Sequence, residues 1–558
     1  MKRSGSFISS LLVSIAGSPL LWKFNRQSRN VKKAQERVLS DIIRRNKETL
    51  FGKEHGFKDI DSVRKYKESV PIMDYEDHRP YIERMQKGER DLLIKGKPLM
   101  YNTSSGTTTL PKYIPISENY MKSYSALNKL WLYTCLKENP RLYNGYSMSA
   151  VSPAVEGYCK DGTPYGSTSG TSYLNIPKVL KKTYSVPYPA LKIPDYSKKY
   201  YAIARGAAGA YVSFIISPSP SNIIKIHETI MENFEEIVKD VYDGTLRKDV
   251  FEEIEDDEKE EIENFFSPDP ERAKTLESLM HDYGEGLRPK HYWPDLVCVN
   301  TWKQGNFRRI IPMIEEYFSE DTPIRAFGYQ ASEARAGCVL GNDWDYSVLA
   351  AGDYFFEFYK SGSDPAVPDN VFQCHELTEG ETYYILISNN SGLYRYDIND
   401  LVKVRGFYGT IPLIEFIGKG SGVTSITGEK LTENHVIHAV EMAEKEFEHR
   451  VEFFIMFCDE ESLRYTLFVE FDQRSKRGGQ KHFVNTFDEK LMEINPEYKI
   501  KRRSGRLSKP GIRILRNDSY NGFKEMCVRR GIARDGQYKD FYLRKERVYL
   551  EILKELEE

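Results

Sequence analysis

Between Ile417 and Lys430 the chain reads IGKGSGVTSITGEK, and the patterning of its residues changes there. A glycine-rich run of this kind interrupts regular structure, so the residues on either side must fold around separate frameworks. Ahead of it, strand-like stretches (DLVCVNTW, IRAFGYQ, DYFFEFY, ETYYILISN) fall between Tyr292 and Val402, with helical pieces such as RRIIPMIEEYF between some of them. That mixture argues for α/β layers rather than a bundle. Behind it the order reads helix 432–447, strand 451–458, strand 464–471, helix 485–494, strand 511–515 and a helix near 518–530. This is a compact α+β module of roughly 130 residues, an ordinary size for a domain. At 558 residues the chain also exceeds the size at which a single core keeps growing. The expected fold class is therefore α/β: a large N-terminal multi-layer domain over residues 1–417, a hinge at 418–422 and a small, mobile C-terminal α+β domain over 423–558.

Charge removes several functions. Lys+Arg (80) nearly balances Asp+Glu (82), so the overall field draws the chain to neither nucleic acid nor an anionic surface. The seven cysteines are scattered, odd in number and without a C-x-x-C pair, which points to a reduced, cytoplasmic setting and no structural zinc. The first 22 residues imitate a signal peptide, with Lys2-Arg3 followed by FISSLLVSIAGSPLL. They are too short and too serine-rich to span a bilayer. The reading taken is an apolar helix packed on the body, or a peripheral anchor, with no stable membrane insertion. No heptad and no large exposed apolar helix face stands out to fix an oligomeric state. Residues 30–50 carry amphipathic helical spacing, and 62–95 read as short helices broken by Pro71 and Pro80. Ser117 is placed to cap a helix through about Glu138, and a long helix is expected from Ser221 to about Asp243. The acidic run EEIEDDEKEEIEN (252–264) is read as a solvated helix face.

Four short stretches carry chemistry. In YNTSSGTTTLPKYIPI (101–116), hydroxyl residues and one glycine sit between two strand-like segments. Gly106 lets the backbone approach closely, Ser104, Ser105, Thr107 and Thr108 donate hydrogen bonds, and Lys112 adds a point charge, so the loop can wrap a polyphosphate. It is not the Walker loop, because G-x-x-x-x-G-K-[ST] is absent. A second run, GTPYGSTSGTSYL (162–174), repeats the theme without a lysine or a strand-like partner and reads as a substrate-side loop or a decoy. In FGYQASEARAG (327–337), Tyr329 can stack on a purine and Glu333, beside Ser332, can hold a magnesium ion bridging phosphate oxygens. In GLYRYDINDLVKV (392–404), an aspartate after a Tyr-Arg strand can accept both hydroxyls of a ribose; the plainer reading is a hairpin in which Arg395 pairs with a neighbouring acid. In GQYKD (536–540), Lys539 can neutralise charge between a carboxylate and a phosphate.

Taken in order, S-S-G-T-T-x-L-P-K, Y-x-x-S-E, G-L-Y-R-Y-x-x-x-D, a glycine hinge with GEKLTE, and Q-Y-K resemble the adenylate-forming superfamily. Within it the chain resembles the acyl-acid amido synthetases of the Gretchen Hagen family, whose plant members conjugate auxin and jasmonate to amino acids. LFGKEHGF (50–57), VPIMDYEDHRPYIERM (70–85), WPDL (293–296) and the run from Tyr383 to Ile417 extend the resemblance over most of the chain. It implies an adenylate-forming N-terminal domain that uses ATP and Mg²⁺. Ser104, Ser105, Gly106, Thr107, Thr108 and Lys112 would hold the phosphates, Tyr329 and Ser332 would line the nucleotide, Glu333 would bind magnesium, Asp400 would hold the ribose, and Lys539 would serve the adenylation step.

This sequence departs from the pattern at Thr109 and Asn399, where the family has glycine, and at Asp540-Phe541, where it has Pro-Arg. The implied partners are a small carboxylic acid and an amine, an amino acid by resemblance, joined through acyl-AMP. Two other readings stand beside it: an acyl-CoA ligase sharing the first half-reaction, and a non-catalytic nucleotide-binding relative, motivated by Thr109 and Asp540-Phe541. The lack of G-x-S-x-G and of a cysteine–histidine pair fits a reaction without a protein nucleophile.

Overall fold

The computed structural model describes residues 6–104, 112–150, 153–304, 307–308, 310–360, 363–420, 423–424, 426–427, 429, 431–447, 450–459, 462–472, 480–533 and 540–558. The chain divides into two compact units. The larger takes in the described residues to 104, then 112–398 and 403–415; the smaller is formed by 416–558 together with residues 399–402. The fold is mixed α/β, as expected.

The larger unit carries a parallel four-stranded sheet in the order Tyr146–Ser149, Val212–Ile216, Cys298–Thr301, Ile324–Ala326. Parallel strands need crossovers, and helices such as Tyr196–Gly209, Pro220–Glu232 and Pro270–Tyr283 supply them. Their apolar faces and the strands share one core containing Tyr201, Ile203, Ile215, Ile226, Trp293 and Val299. A seven-stranded sheet runs Val371–Gln373, Phe355–Tyr359, Thr382–Ser388, Tyr396–Tyr408, Ile411–Lys419, Ser347–Leu349, Gly337–Cys338. A smaller sheet orders Lys112–Ile116, Met100–Ser104, Pro164–Gly166 and Gly157–Tyr158.

In the smaller unit, Gly511–Ile514, Arg464–Phe471, Val451–Asp459 and Leu543–Arg544 form a sheet in that order. From Phe453 to Cys458, after a register shift between Val451 and Phe453, period-two alternation splits the strand Val451–Asp459. Phe454, Met456 and Cys458 enter one core, with the helices Glu433–Phe447 and Gln480–Ile494, while Phe453, Ile455 and Phe457 enter another, with Ser519–Arg529 and Arg547–Glu555.

Several helices sit where capping and spacing place them. Asn30 caps Val31–Asn46, and Ser117 caps Glu118–Glu138 through its hydroxyl on the Tyr120 amide. Other expectations need correction. Pro80 does not end a helix: it lies inside Tyr75–Met85, which is held by a capping box between Asp74 and Asp77 and by burial of His78, Ile82 and Met85. The helix expected over 221–243 is two, Pro220–Glu232 and Phe234–Asp243, separated at Asn233. The helix Pro496–Arg503, the strand Leu543–Arg544 and the helix Arg547–Glu555 were not anticipated. The expected absence of an exposed apolar helix face fails at Ser6–Gln27, where Phe7, Ile8, Leu11, Leu12, Ile15 and Trp22 are all exposed.

Candidate active site

The hydroxyl-rich loop is closed by an antiparallel pair whose register runs from Met100↔Ile116 to Ser104↔Lys112. The strand–loop–strand reading therefore holds at the loop's two ends. Residues 105–111, which include Ser105, Gly106, Thr107 and Thr108, lie outside the described residues. Lys112 sits with its ammonium 5.4 Å from the centre of the Tyr75 ring, a cation–π contact. The second hydroxyl-rich run differs from expectation. Pro164–Gly166 is a strand that pairs in parallel with Tyr101 and Asn102, and Thr168–Leu174 is a short helix capped by Ser167. It thus lies beside the strand Met100–Ser104.

Asn102, which the motif reading passed over, joins these pieces. Its side-chain nitrogen donates to the Ser332 carbonyl (2.8 Å), and its oxygen accepts the Thr168 amide (3.1 Å). The base of the hydroxyl-rich loop is thereby fixed to the Y-x-x-S-E segment. Tyr329 is buried, its amide donating to the Ser347 hydroxyl. Glu333 is buried too. Asn389 donates to its carbonyl (3.0 Å), and the Tyr396 hydroxyl donates to its carboxylate (3.3 Å). Burial first and the Glu333 charge second push the Tyr396 hydroxyl well above its ordinary pKa, so it remains a donor. Among the described residues no cation pairs with Glu333. A buried carboxylate held by one long hydrogen bond suits a hard divalent cation, which needs few protein ligands when phosphates supply the rest. The described residues contain no cluster of three His, Cys, Asp or Glu side chains able to hold a metal unaided.

The GLYRY segment is braced by the stretches that precede the loop. The Met73 amide donates to the Arg395 carbonyl and Met73 accepts from Asp397, while Tyr394 stacks on Phe51 with ring centres 4.6 Å apart. His78 is fully buried; one ring nitrogen lies 2.8 Å from the Asp74 carbonyl and the other 3.5 Å from the Tyr394 amide. Burial drives its pKa down to about 4, so it is a neutral ring at physiological pH. Gly392 has φ +84, and a Cβ there would meet the Leu93 Cβ at 2.6 Å, which restricts the turn before Leu393 to glycine. Arg395 does pair with an acid: its guanidinium binds Glu357 (3.1 Å) and the carbonyls of Lys67 and Val70. The strand that follows alternates, with Tyr396, Ile398, Asp400, Val402 and Val404 buried. Asp400 is thus a carboxylate in a register of core side chains. In the smaller unit its Oδ1 meets the Lys419 ammonium at 2.6 Å. An ionised carboxylate has lone pairs for several donors, so this ion pair is compatible with further hydroxyl donors.

In the smaller unit, Glu429 of the GEKLTE segment is buried and accepts from the amides of Ile426 and Thr427 and from the Tyr465 hydroxyl. Burial alone would raise its pKa; these hydrogen bonds outweigh it and hold the carboxyl below its ordinary value. Lys539 lies outside the described residues, as do residues 421–422 of the expected hinge. The two residues after Lys539 are core. Phe541 packs with Phe523 and Tyr549, and buried Asp540, its pKa pushed up to about 6 by burial, accepts from the Tyr520 hydroxyl (3.1 Å).

Models of the N-terminal, central and C-terminal domains of one family match residues 20–324, 347–419 and 434–547 in sequence. The chain belongs to the GH3 family. Its GH3 relatives include an indole-3-acetic acid-amido synthetase of Arabidopsis thaliana, 25% identical over 75% of this chain and 72% of the relative. A 4-substituted benzoates-glutamate ligase of the same plant is 24% identical over 91% and 92%. Among solved structures, a GH3 acyl acid amido synthetase in complex with 2,4-DB aligns over 97% of this chain and 96% of that one, at 22% identity and TM-score 0.83. A 2-hydroxyisobutyryl-CoA ligase in its postadenylation state aligns over 94% and 91%, at 11% identity and TM-score 0.52. The GH3 fold is thus shared closely with the former, and its framework with an adenylate-forming enzyme.

Proposed function

We propose that the chain is an ATP-dependent acyl-acid amido synthetase. Membership of the GH3 family along nearly the whole chain carries the reading. The anchoring of Ser332–Glu333 to the hydroxyl-rich loop through Asn102 supports it. In the first half-reaction a carboxylate oxygen of the acid attacks the α-phosphorus of ATP, and pyrophosphate leaves. In the second, an amine nitrogen attacks the acyl carbon, an amide forms, and AMP leaves with the acid's former oxygen. The hydroxyls and amides of residues 104–108 and the Lys112 ammonium bind the phosphates, Tyr329 faces the adenine, Ser332 lines the nucleotide, and Asp400 accepts the ribose hydroxyls. When bound at Glu333, Mg²⁺ supplies positive charge to the phosphate oxygens. Lys539 neutralises charge at the α-phosphate, the largest contribution expected in such transfers. Residues 418–422 are the proposed hinge about which residues 423–558 turn between half-reactions. Seven free cysteines agree with action in the cytoplasm.

The acid is a small carboxylic acid and the amine an amino acid, in keeping with relatives that are named for indole-3-acetic acid and for benzoates with glutamate. Acid-dependent exchange of labelled pyrophosphate into ATP, with AMP as the nucleotide product, is the decisive assay; ADP as product would rule adenylation out. The adenylate-forming fold shared with a CoA ligase favours one second reading, thioester formation. Release of AMP by CoA, and by no amino acid, would establish it. Binding of ATP without turnover for every acid and amine tried would identify a non-catalytic relative.

A further inference from the structure

The helix Ser6–Gln27 sets large apolar side chains among serines and small residues, and a long apolar stripe on such a helix has to be covered by a core or by lipid. The chain encloses only one side of it: 22% of its most apolar window is buried. On that side Ser9, Val13 and Phe24 are buried, and Gly17 brings the helix so close to Glu118–Glu138 that a Cβ would lie 2.1 Å from the Tyr133 Cβ. The end of the helix is tied down as well, since the Tyr408 hydroxyl donates to Asn25 (2.6 Å). Its larger apolar side chains point the other way. Phe7 (75% exposed), Ile8 (55%), Leu11 (46%), Leu12 (40%), Ile15 (63%) and Trp22 (66%) follow helical spacing along one face. From Phe7 to Trp22 that stripe is about 22 Å long at the rise of an α-helix.

We propose that this stripe docks the enzyme on the surface of an anionic lipid bilayer, with the helix lying in the plane of the interface. Charge selects this occupant. The first 35 residues hold seven Lys or Arg (Lys2, Arg3, Lys23, Arg26, Arg29, Lys32, Lys33), and the first acid is Glu36. At the stripe's end the Arg26 guanidinium stands 5.7 Å from the Trp22 ring, a pair of the kind that settles at the headgroup level. A second copy of the chain would bring the same basic end against itself or leave it unmatched, whereas lipid phosphates complement it. The helix lies on the bilayer and does not cross it, because crossing would strip Gly17 and Phe24 from their partners. The overall charge balance gave no hint of this, since a local basic segment of 35 residues vanishes in a sum over 558.

The test is co-sedimentation of the full-length chain with vesicles of phosphatidylcholine alone or with about one-third phosphatidylglycerol. Wild-type protein is expected in the pellet with the anionic vesicles. The double variant Leu11→Glu/Ile15→Glu should lower the bound fraction at least ~tenfold, and Arg26→Glu/Arg29→Glu should abolish the preference for anionic lipid. Thermal midpoints matching wild type would show that both variants are folded, as expected for exposed positions. Wild-type protein remaining in the supernatant would overturn the proposal, as would undiminished pelleting of the Leu11→Glu/Ile15→Glu variant. A lipid-free dimer that this variant dissociates would assign the stripe to a second copy and equally overturn it.

Discussion

Asp400 stands at a core-facing position between Ile398 and Val402 and carries a charge. Burial is costly for a carboxylate, and the ion pair with the partly exposed Lys419 offsets that cost. Asp400→Asn keeps the shape and removes the charge. It is expected to weaken ATP binding by about ten- to a hundredfold, the worth of hydrogen bonds to a charged group; calorimetry with a non-hydrolysable analogue checks this, and unaltered affinity would remove Asp400 from the ribose site. The neighbouring departure from the family pattern has a conformational explanation. Asn399 adopts φ +57, in the left-handed region that glycine enters freely and asparagine tolerates. Asn399→Gly should therefore leave the protein folded, while Asn399→Val should lower stability by roughly 1–2 kcal/mol in urea unfolding. Glu333→Gln preserves an acceptor for Tyr396 but no longer carries the charge a divalent ion requires. Acid-dependent pyrophosphate exchange should fall by about a hundredfold with little change in thermal midpoint, and a matching loss of midpoint would mean that Glu333 is structural.

At the scale of elements, the strand bearing Asp400 is positioned by its buried entry. Arg395 and Glu357 are both almost wholly enclosed, and burial raises the Glu357 pKa despite the guanidinium beside it. Removing one partner strands the other, so Arg395→Met should cost on the order of 3–5 kcal/mol, and Arg395→Met with Glu357→Leu should recover much of it. Equal losses in the single and double variants would show that the carbonyl contacts to Lys67 and Val70 matter more. His78 gives the same brace a pH dependence. Its folded pKa, about 4, is below the unfolded value near 6.5. Between those values the unfolded chain binds a proton that the fold refuses. The stability conferred by the neutral ring is fully present above pH ~6.5 and is lost as pH falls toward 4. His78→Gln should therefore reduce the fall in unfolding free energy between pH 6.5 and 4.5 by on the order of 2 kcal/mol. Identical slopes in variant and wild type would contradict a buried neutral His78.

For the whole molecule, the choice of acceptor is the open variable. Thioester and amide formation share the first half-reaction, so adenylation assays cannot separate them. With a competent acid, AMP release is expected to be stimulated by an amino acid and unaffected by CoA, measured side by side. Lys539→Ala should slow pyrophosphate exchange far more than amide formation from supplied acyl-adenylate; equal slowing would place Lys539 outside the adenylation step.

The sequence by itself determined the α/β class, the positions of the elements with strong spacing or capping signals, and the motifs offered for the site. Apolar runs, helical spacing and capping act over a few residues, so VEFFIMFC reads as a strand and Ser117 as a cap before any partner is known. Asp400 was legible only through the resemblance of GLYRY with its following aspartate, and the period-two burial that sets it among core side chains came from the structure. Tertiary structure alone decided which distant groups serve those motifs. Asn102 reaches Ser332 across 230 positions and His78 approaches Tyr394 across 316, pairings set by which strands become neighbours. It also decided the orientation of Ser6–Gln27. Its buried side was chosen by close approach, which the small residue Gly17 could give Tyr133, and that turned Phe7, Leu11, Ile15 and Trp22 outward.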